Sequence, residues 1–234
     1  MQFRGFVFLL AAMPLWASGQ TPATWFDLGG SLSLPGPFKA SLELTHRREN
    51  GFTDNSFAEA GLSWKASKRW DFGVGYRYFA EGPLNGVDHL GHRYQFDASF
   101  DDKIADVKIK VRLRQQFKHT DVLSSEKGRI AERTSRLKLS GSFDIRKDWD
   151  GELGGELFLP NSPGLPWHLD EYRLFAGIEH ELNKWADLSV KFIWDAPFAG
   201  TADEGTAIAN VGFKLDIDQA AKKWRKARTN ASEN

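Results

Sequence analysis

The sequence predicts an all-β protein, an antiparallel up-and-down transmembrane β-barrel of about 10 strands, with 12 as the alternative count. Three observations predict this fold. Apolar and polar residues alternate in segments of about ten residues between residues 38 and 217, a secretion signal precedes these segments, and tryptophans recur beside short turns. Only a closed sheet presents apolar side chains to lipid and polar ones to a lumen while every backbone group is hydrogen-bonded.

Residues 1–19 have the pattern of a signal peptide. Arg4 precedes an apolar run at residues 6–13, and Ala17-Ser18-Gly19 provides small residues for cleavage. This run is shorter than the roughly 20 apolar residues that a membrane-spanning helix requires. A buried core helix is the alternative interpretation. The chain contains no cysteine, so disulfides do not stabilise it.

The barrel domain is predicted at residues 38–217. In residues 70–78, Trp70, Phe72 and Val74 alternate with Asp71 and glycine. We expect the apolar face to contact lipid and the charged face to line the lumen. The expected strands lie at residues 38–48, 56–66, 69–80, 90–101, 105–117, 131–143, 149–158, 170–181, 186–195 and 206–217.

Two flanking segments are less regular. Within the N-terminal segment 20–37, residues Trp25 to Leu34 also alternate, and an eleventh strand there would give an odd count, which is unusual for a bacterial barrel. We therefore expect this segment to lie against or inside a ten-stranded barrel, or to belong to a barrel of twelve. Residues 218–234 are interpreted as a charged periplasmic tail.

The links between the expected strands alternate between short and long, as periplasmic turns and outer loops do in such barrels. Trp70, Trp149 and Trp185 accompany three of the short turns. Tryptophan favours the membrane interface, so these three residues are predicted to form an inner-leaflet girdle. The alternatives are core tryptophans of a soluble β-sandwich, or a soluble lipocalin-like barrel with its apolar face inside.

Composition and motifs exclude several classes of function. Lys plus Arg and Asp plus Glu are both 31, so no basic field indicates nucleic-acid binding. We find neither a phosphate-binding loop nor a metal-ligand cluster, and we expect no cofactor, no metal and no catalytic residues. No His-x-Ser pair is present, although a triad assembled from separate strands stays open. His46, His92 and His180 are predicted on lipid or interfacial faces.

Charged residues of the predicted inner face form a candidate lumen network. Two interpretations are open: a salt-bridged plug, or a basic wall of a water-filled pore that favours anions. Barrels of about eight strands are filled by side chains, and ten is near that limit. The candidate residues are Arg77, Arg93, Arg112, Arg114, Arg136, Lys138, Glu152, Glu156 and Arg173.

Five short motifs occur in an order that resembles the domain-of-unknown-function 2490 family of bacterial outer-membrane proteins. The resemblance implies an outer-membrane β-barrel of a Gram-negative bacterium, and the family has no settled activity. The charged extension after the last strand departs from the family pattern. The motifs are Gly75-Tyr76-Arg77-Tyr78, His92-Arg93-Tyr94, Arg112-Leu113-Arg114-Gln115-Gln116-Phe117, Arg133-Thr134-Ser135-Arg136-Leu137 and Glu171-Tyr172-Arg173-Leu174.

The segment from Asn210 to Ile217 resembles the polar-x-Gly-x-x-apolar-x-apolar signal that the barrel-assembly machinery recognises. The expected partners are therefore that machinery during insertion, outer-membrane lipids and an unknown extracellular loop partner. We expect a structural or surface-interaction barrel with a charge-filled lumen. A narrow solute channel and an outer-membrane lipid-modifying enzyme are the alternatives.

Overall fold

A computed structural model describes residues 23–49, 53–83, 89–120, 132–161, 167–199 and 205–223. Eleven strands in these ranges form one closed barrel, in which each strand is hydrogen-bonded to its neighbours along the chain. The predicted all-β barrel is therefore confirmed. The strands are β1 (Ala23–Ser33), β2 (Phe38–Glu49), β3 (Thr53–Lys65), β4 (Trp70–Pro83), β5 (His89–Ile104), β6 (Val107–Thr120), β7 (Glu132–Arg146), β8 (Trp149–Pro160), β9 (Glu171–Asn183), β10 (Ala186–Pro197) and β11 (Thr206–Asp216).

The predicted count of 10 strands, or 12 in the alternative, is wrong because residues 20–37 contribute β1 to the barrel wall. β1 pairs with β2 in the antiparallel sense and with β11 in the parallel sense, where Leu28 lies opposite Phe213. Eleven strands that alternate in direction begin and end with strands pointing the same way, so the closing pair is parallel. The barrel thus starts at Ala23 and not at residue 38.

The links between strands define two ends of the barrel. The turn end contains residues 34–37, 66–69, 105–106, 147–148 and 184–185. At the opposite end, which we call the loop end, β2, β4, β6, β8 and β10 end and the strands that follow them begin. Short and longer links alternate as predicted except at 50–52, which is short because β2 and β3 continue beyond their predicted ends. Both β1 and β11 run from the loop end to the turn end.

The strands also extend further towards the loop end than the alternation predicts. Pro83, Pro160 and Pro197, which the sequence places in links, are the last residues of β4, β8 and β10. Proline has no N–H to donate to the ladder, so it is tolerated where a strand ends.

The two faces of the wall differ in polarity. In β4, Phe72 and Val74 are 40% and 49% exposed on the outer surface, whereas Arg77 on the inner face is only 7% exposed. Successive side chains of a strand point to opposite faces, so this difference repeats around the barrel. The outer surface is apolar and the lumen contains the charged and polar side chains.

A short helix at residues 217–223 follows β11 at the turn end. Asp218 Oδ2 accepts a hydrogen bond of 2.7 Å from the backbone N–H of Ser33, which lowers the pKa of the Asp218 carboxyl. Lys223 Nζ lies 5.3 Å from the ring of Trp185. The helix is thereby attached to the last residue of β1 and to the β9–β10 turn. Within the described ranges, the chain forms no helix long and apolar enough to cross a membrane.

The parallel closure can be tested by cross-linking, since the chain has no native cysteine. The Leu28→Cys/Phe213→Cys variant is expected to form a disulfide on mild oxidation, because these positions are directly paired across β1 and β11. The cross-link is measured as a mobility shift that reductant reverses. A matched control, Leu28→Cys/Val190→Cys, places the second thiol on β10 and is expected to stay reduced. Cross-linking of the control alone, or of neither, would contradict the eleven-stranded wall.

Candidate functional site

The lumen is the candidate functional site, and a chain of hydrogen-bonded side chains crosses it from β3 to β8. We call this chain the lumen network. It consists of Glu59, Arg77, Gln95, Gln116, Arg136, Glu156 and Arg112. Each member lies on the inward-facing parity of its strand, so the sheet register brings them together.

Glu156 is at one end of the lumen network and is 5% exposed. Arg136 donates to it twice, from Nη2 to Oε2 at 2.7 Å and from Nε to Oε1 at 3.1 Å. Arg112 Nη2 donates to Oε1 at 3.2 Å. Two guanidinium groups on β6 and β7 thus share one carboxylate on β8. The side-on pairing of Arg136 is the bidentate geometry that gives the strongest charge-assisted hydrogen bonds.

The other end of the lumen network is at Glu59. Its carboxylate accepts hydrogen bonds from Arg77 Nε at 2.7 Å and from Gln95 Nε2 at 2.6 Å. Gln95 Oε1 in turn accepts from Gln116 Nε2 at 3.2 Å, and Gln116 Oε1 accepts from Arg136 Nη1 at 3.4 Å. The two glutamines therefore connect the ion pairs on opposite parts of the wall.

Further ion pairs lie beside the lumen network. Arg114 binds Asp97 in a bidentate manner, with distances of 2.6 and 2.7 Å. Lys138 and Lys191 both approach Glu152, the former at 3.7 Å. These pairs leave few charges of the inner wall without an opposite charge nearby, as buried ions require.

Arg173 and Arg93, the remaining two sequence-predicted residues, lie outside the lumen network. Arg173 pairs with Asp195 on β10 and, at 3.4 Å, with Glu171. The guanidinium of Arg93 contacts the Phe79 ring at 5.8 Å from its centroid. The structure thus joins Arg77, Arg112, Arg136 and Glu156 in one network and places Arg93, Arg114, Lys138, Glu152 and Arg173 in separate contacts around it.

Buried aromatic side chains also lie in the lumen, although the polar–apolar alternation alone would assign them to the outer face. Phe57 and Phe79 are 5% and 2% exposed. Arg77 lies 3.6 Å above the Phe57 ring, and Arg47 lies 3.8 Å above the Trp25 ring. Such stacking lets a guanidinium occupy a crowded interior beside apolar carbon. The sequence does contain a signal for their inward position, because Phe57 and Phe79 are each two residues from a charged residue on the same strand and therefore lie on the same face as that residue.

Phe175 also points inward and lies against Gly154 of the adjacent strand. A Cβ added to Gly154 would overlap the Phe175 ring and the Leu139 carbonyl oxygen. Phe175 belongs to a small buried cluster with Trp25, Ile193 and Ile208. The lumen is therefore packed by apolar as well as ionic side chains.

The seam between β1 and its two neighbours is hydrogen-bonded from the lumen side. The Asp27 carboxylate accepts hydrogen bonds of 2.6 Å from Thr45 Oγ1 on β2 and from Asn210 Nδ2 on β11. Thr45 and Asn210 are 4% and 5% exposed. These contacts depend on β1 joining the wall between β2 and β11, which local alternation does not establish.

A cavity of about 600 Å³ opens at the turn end of the lumen. Lys110 and Asp101 on its wall are paired at 3.6 Å, and Lys214 and Glu179 at 2.6 Å. The lumen is thus open at the turn end, and the side chains of the lumen network fill it farther towards the loop end.

The three predicted girdle tryptophans all lie at the turn end. Trp70 is 46% exposed and stacks on Phe72, with ring centroids 6.1 Å apart. Trp149 stacks on His180 at 4.3 Å, and Trp185 contacts Lys223. Trp64 on the outer face of β3 is also 46% exposed near this end and packs on Phe72.

A second aromatic cluster lies on the outer face nearer the loop end. Tyr76 hydrogen-bonds to His92, and the Tyr94 ring is 5.4 Å from the Tyr76 ring. Tyr78 is 5.3 Å from His92, and His119 is 6.1 Å from Tyr94. Aromatic residues therefore lie at both edges of the apolar outer surface, as in the two girdles of membrane barrels.

In the described part of the chain, no group of three or more His, Cys, Asp or Glu side chains is placed to hold a metal ion.

The comparisons with known proteins identify the family. The model of a family described as "Protein of unknown function (DUF2490)" matches residues 23–203. The chain belongs to the DUF2490 family. The resemblance inferred from the five motifs is therefore confirmed. The match extends from the first residue of β1 through β10, so the DUF2490 region contains nearly all of the barrel wall. No curated protein matches the chain.

Among solved structures, this DUF2490 protein is similar to three forms of OmpT, an outer membrane protein of Vibrio cholerae. OmpT folded in vitro is 9% identical with a TM-score of 0.41, and 70% of this chain matches 52% of OmpT. The OmpT mutant lacking loop L8 is 10% identical with a TM-score of 0.43, and 76% of this chain matches 58% of the mutant. OmpT expressed in the outer membrane is 8% identical with a TM-score of 0.38, and 71% of this chain matches 77% of that chain. The chain spans little more than half the length of the first two, and no activity is carried over from them.

Proposed function

We propose that this DUF2490 protein is a barrel of the Gram-negative outer membrane whose lumen is closed by its own side chains. It serves as a structural or surface-interaction element and conducts no solute. The observation that carries the proposal is the sharing of buried Glu156 by Arg136 and Arg112 inside the barrel.

The membrane location is supported by the polarity of the wall. Apolar side chains such as Phe72, Val74 and Leu113 are exposed on the outer surface, the last being 59% exposed. A contiguous apolar surface around a whole barrel is unfavourable in water and favourable in lipid. The aromatic clusters at the two edges of this surface fit the positions of the two membrane interfaces.

The orientation follows from the links. Outer-membrane barrels have short periplasmic turns and longer outer loops. The turn end, with Trp70, Trp149 and Trp185, is therefore assigned to the periplasmic side. The loop end, where β6, β8 and β10 end at Thr120, Pro160 and Pro197, is assigned to the cell exterior, where a surface partner would bind.

The closed lumen is supported by the energetics of buried ions. A hydrated ion crossing the barrel would have to pass the lumen network and the rings of Phe57, Phe79 and Phe175. Separating Glu156 from either arginine would leave a charge without its partner in a poorly hydrated interior, which is costly. A water-filled anion pore would instead leave its basic side chains hydrated and separate.

Planar-bilayer recordings of the refolded full chain test this proposal. The wild type is expected to give no ohmic steps. The variant Arg112→Gly/Arg136→Gly/Glu156→Gly removes both cations and their shared carboxylate, and it is expected to give steps because the lumen is then wider. The matched control is Lys110→Gly/Asp101→Gly, which removes an ion pair from the turn-end cavity and is expected to stay silent.

The alternative function, a narrow solute channel, predicts the opposite result in the bilayer recordings. Ohmic steps in the wild type that vanish when Arg112 and Arg114 are both changed to glutamine would show anion conduction along a basic wall. That result would contradict the closed lumen. Fractionation of the wild type with soluble periplasmic proteins would contradict the membrane location.

A further inference from the structure

A crevice of about 660 Å³ crosses the outer surface of the barrel between β11 and β4. It passes over five neighbouring strands, β11, β1, β2, β3 and β4. At about 4.8 Å between strands, this gives a length of roughly 19 Å. The crevice therefore exceeds the roughly 15 Å thickness of one leaflet, half of the hydrocarbon core of about 30 Å. It has the length needed for one acyl chain.

The side of the crevice nearer the turn end is apolar. Its residues are cross-strand neighbours, because Phe213 pairs with Leu28, Leu28 with Leu44, Leu44 with Ala58, and Ala58 with Tyr78. The depression arises at Ala58, whose methyl group lies between two much larger neighbours. This row offers hydrocarbon and aromatic surface to a chain of methylene groups.

The side nearer the loop end contains a polar pair. Phe26 is paired with His46, His46 with Ser56, and Ser56 with Ala80. His46 Nδ1 and Ser56 Oγ are 3.0 Å apart on the exposed face. The exposed side chain of Arg48 is two residues further along β2 towards the loop end.

The two rows are separated by two residues along each strand, or about 6.8 Å. This spacing admits a single extended hydrocarbon chain. Barrel strands tilt by about 35–45°, so the two rows run obliquely to the membrane plane. Ala80 is two residues beyond Tyr78 of the aromatic cluster, so this end of its row lies near the membrane interface in the proposed orientation. The ester and phosphate groups of a lipid in the outer leaflet lie at this depth.

We propose that this crevice binds one acyl chain of a membrane lipid whose anionic phosphate headgroup contacts His46, Ser56 and Arg48. The proposal rests on the proposed function, because only a membrane-inserted barrel exposes this face to lipid. Imidazole, hydroxyl and guanidinium groups can donate to ester and phosphate oxygens, and the Arg48 charge complements a phosphate. Hydrocarbon burial against Leu28, Leu44 and Tyr78 stabilises the chain.

Native mass spectrometry of the full chain in detergent, titrated with phosphatidylglycerol, tests this inference. The wild type is expected to retain one lipid. Ala58→Phe fills the crevice and is expected to weaken binding about tenfold or more. Ala176→Phe makes the same change on the outer face of β9, across the barrel, and is expected to bind as the wild type does. A heat-dependent gel shift verifies that each variant is folded.

The headgroup contact has its own test. Arg48→Ala is expected to weaken the binding of phosphatidylglycerol about tenfold and to leave the binding of diacylglycerol unchanged. Equal retention of phosphatidylglycerol by the wild type and Ala58→Phe would overturn the inference. Release of fatty acid that Ser56→Ala abolishes would also overturn it, since the lipid would then be a substrate of the Ser56–His46 pair.

Failure of this inference can be distinguished from failure of the proposed function. A protein that fractionates with the outer membrane and is silent in bilayers, yet binds no lipid in the crevice, would overturn the lipid site alone. Loss of the membrane location or a conducting wild type would be detected in the fractionation and conductance experiments.

Discussion

Glu156→Ala is expected to lower the free energy of unfolding by about 3–5 kcal/mol, because it leaves Arg136 and Arg112 buried without their shared carboxylate. Glu156 is 5% exposed, so solvent gives it little screening. Urea-induced unfolding in phospholipid vesicles, followed by tryptophan fluorescence, measures the change. The magnitude would be among the larger effects of a single substitution in this chain.

Glu179→Ala provides the control for this prediction. Glu179 also pairs with a basic residue, but its partner Lys214 is 56% exposed, so the expected loss is at most about 1 kcal/mol. The double variant Glu156→Ala/Arg136→Ala is expected to show a coupling of about 0.5–3 kcal/mol with the single variants. Equal losses for Glu156→Ala and Glu179→Ala would mean that the interior is hydrated and would contradict the closed lumen.

Val74→Arg is expected to lower the free energy of unfolding in vesicles by about 2–4 kcal/mol, the cost of arginine at the midplane of a barrel's lipid face. Val74 is 49% exposed on the outer face, with Trp70 and Tyr78 four residues away on either side. If those aromatic residues lie at the two interfaces, Val74 lies between them in the hydrocarbon core. The same urea experiment measures the loss.

Ile104→Arg is the matched control on the lipid face. Ile104 is the last residue of β5 at the turn end and is 64% exposed, so the expected cost is at most about 1 kcal/mol. The informative quantity is the difference in the loss of unfolding free energy between arginine at position 74 and arginine at position 104. Equal costs at positions 74 and 104 would indicate that the outer surface faces water, and the membrane assignment would fail.

Strand positions could be predicted from the sequence because each strand is polar on one face and apolar on the other. The period of two in β4 identifies Phe72 and Val74 as one set and Asp71 and Arg77 as the other, whichever set faces the lumen. The strand count could not be obtained in the same way. It depends on whether β1 joins the wall, and the parallel pairing of Leu28 with Phe213 is a long-range contact that no local pattern encodes.

Part of the lumen was also predictable. Arg112, Arg136 and Glu156 lie on three consecutive antiparallel strands, so their proximity follows from topology. The inward position of the Phe57 and Phe79 rings follows from the charged residues two positions away on the same strands, but the polarity of the rings alone would assign them to the outer face. The contacts of Asp27 were hidden for a different reason, because they require the closure of the barrel.

The pair formed by His46 and Ser56 shows a similar limit of motif reading. Ten residues separate the two in sequence, so a search for His-x-Ser does not find them. They meet because β2 and β3 are joined with a register that places them opposite each other.

The most direct test of the central claim is a nitroxide scan along β4 in proteoliposomes, with single cysteines introduced at residues 71–74. Labels at Phe72 and Val74 are expected to collide freely with lipid-dissolved oxygen, and labels at Asp71 and Gly73 to be shielded inside the lumen. The opposite phase, with residues 71 and 73 accessible to oxygen and residues 72 and 74 shielded, would contradict a membrane barrel with an apolar exterior and an ionic interior.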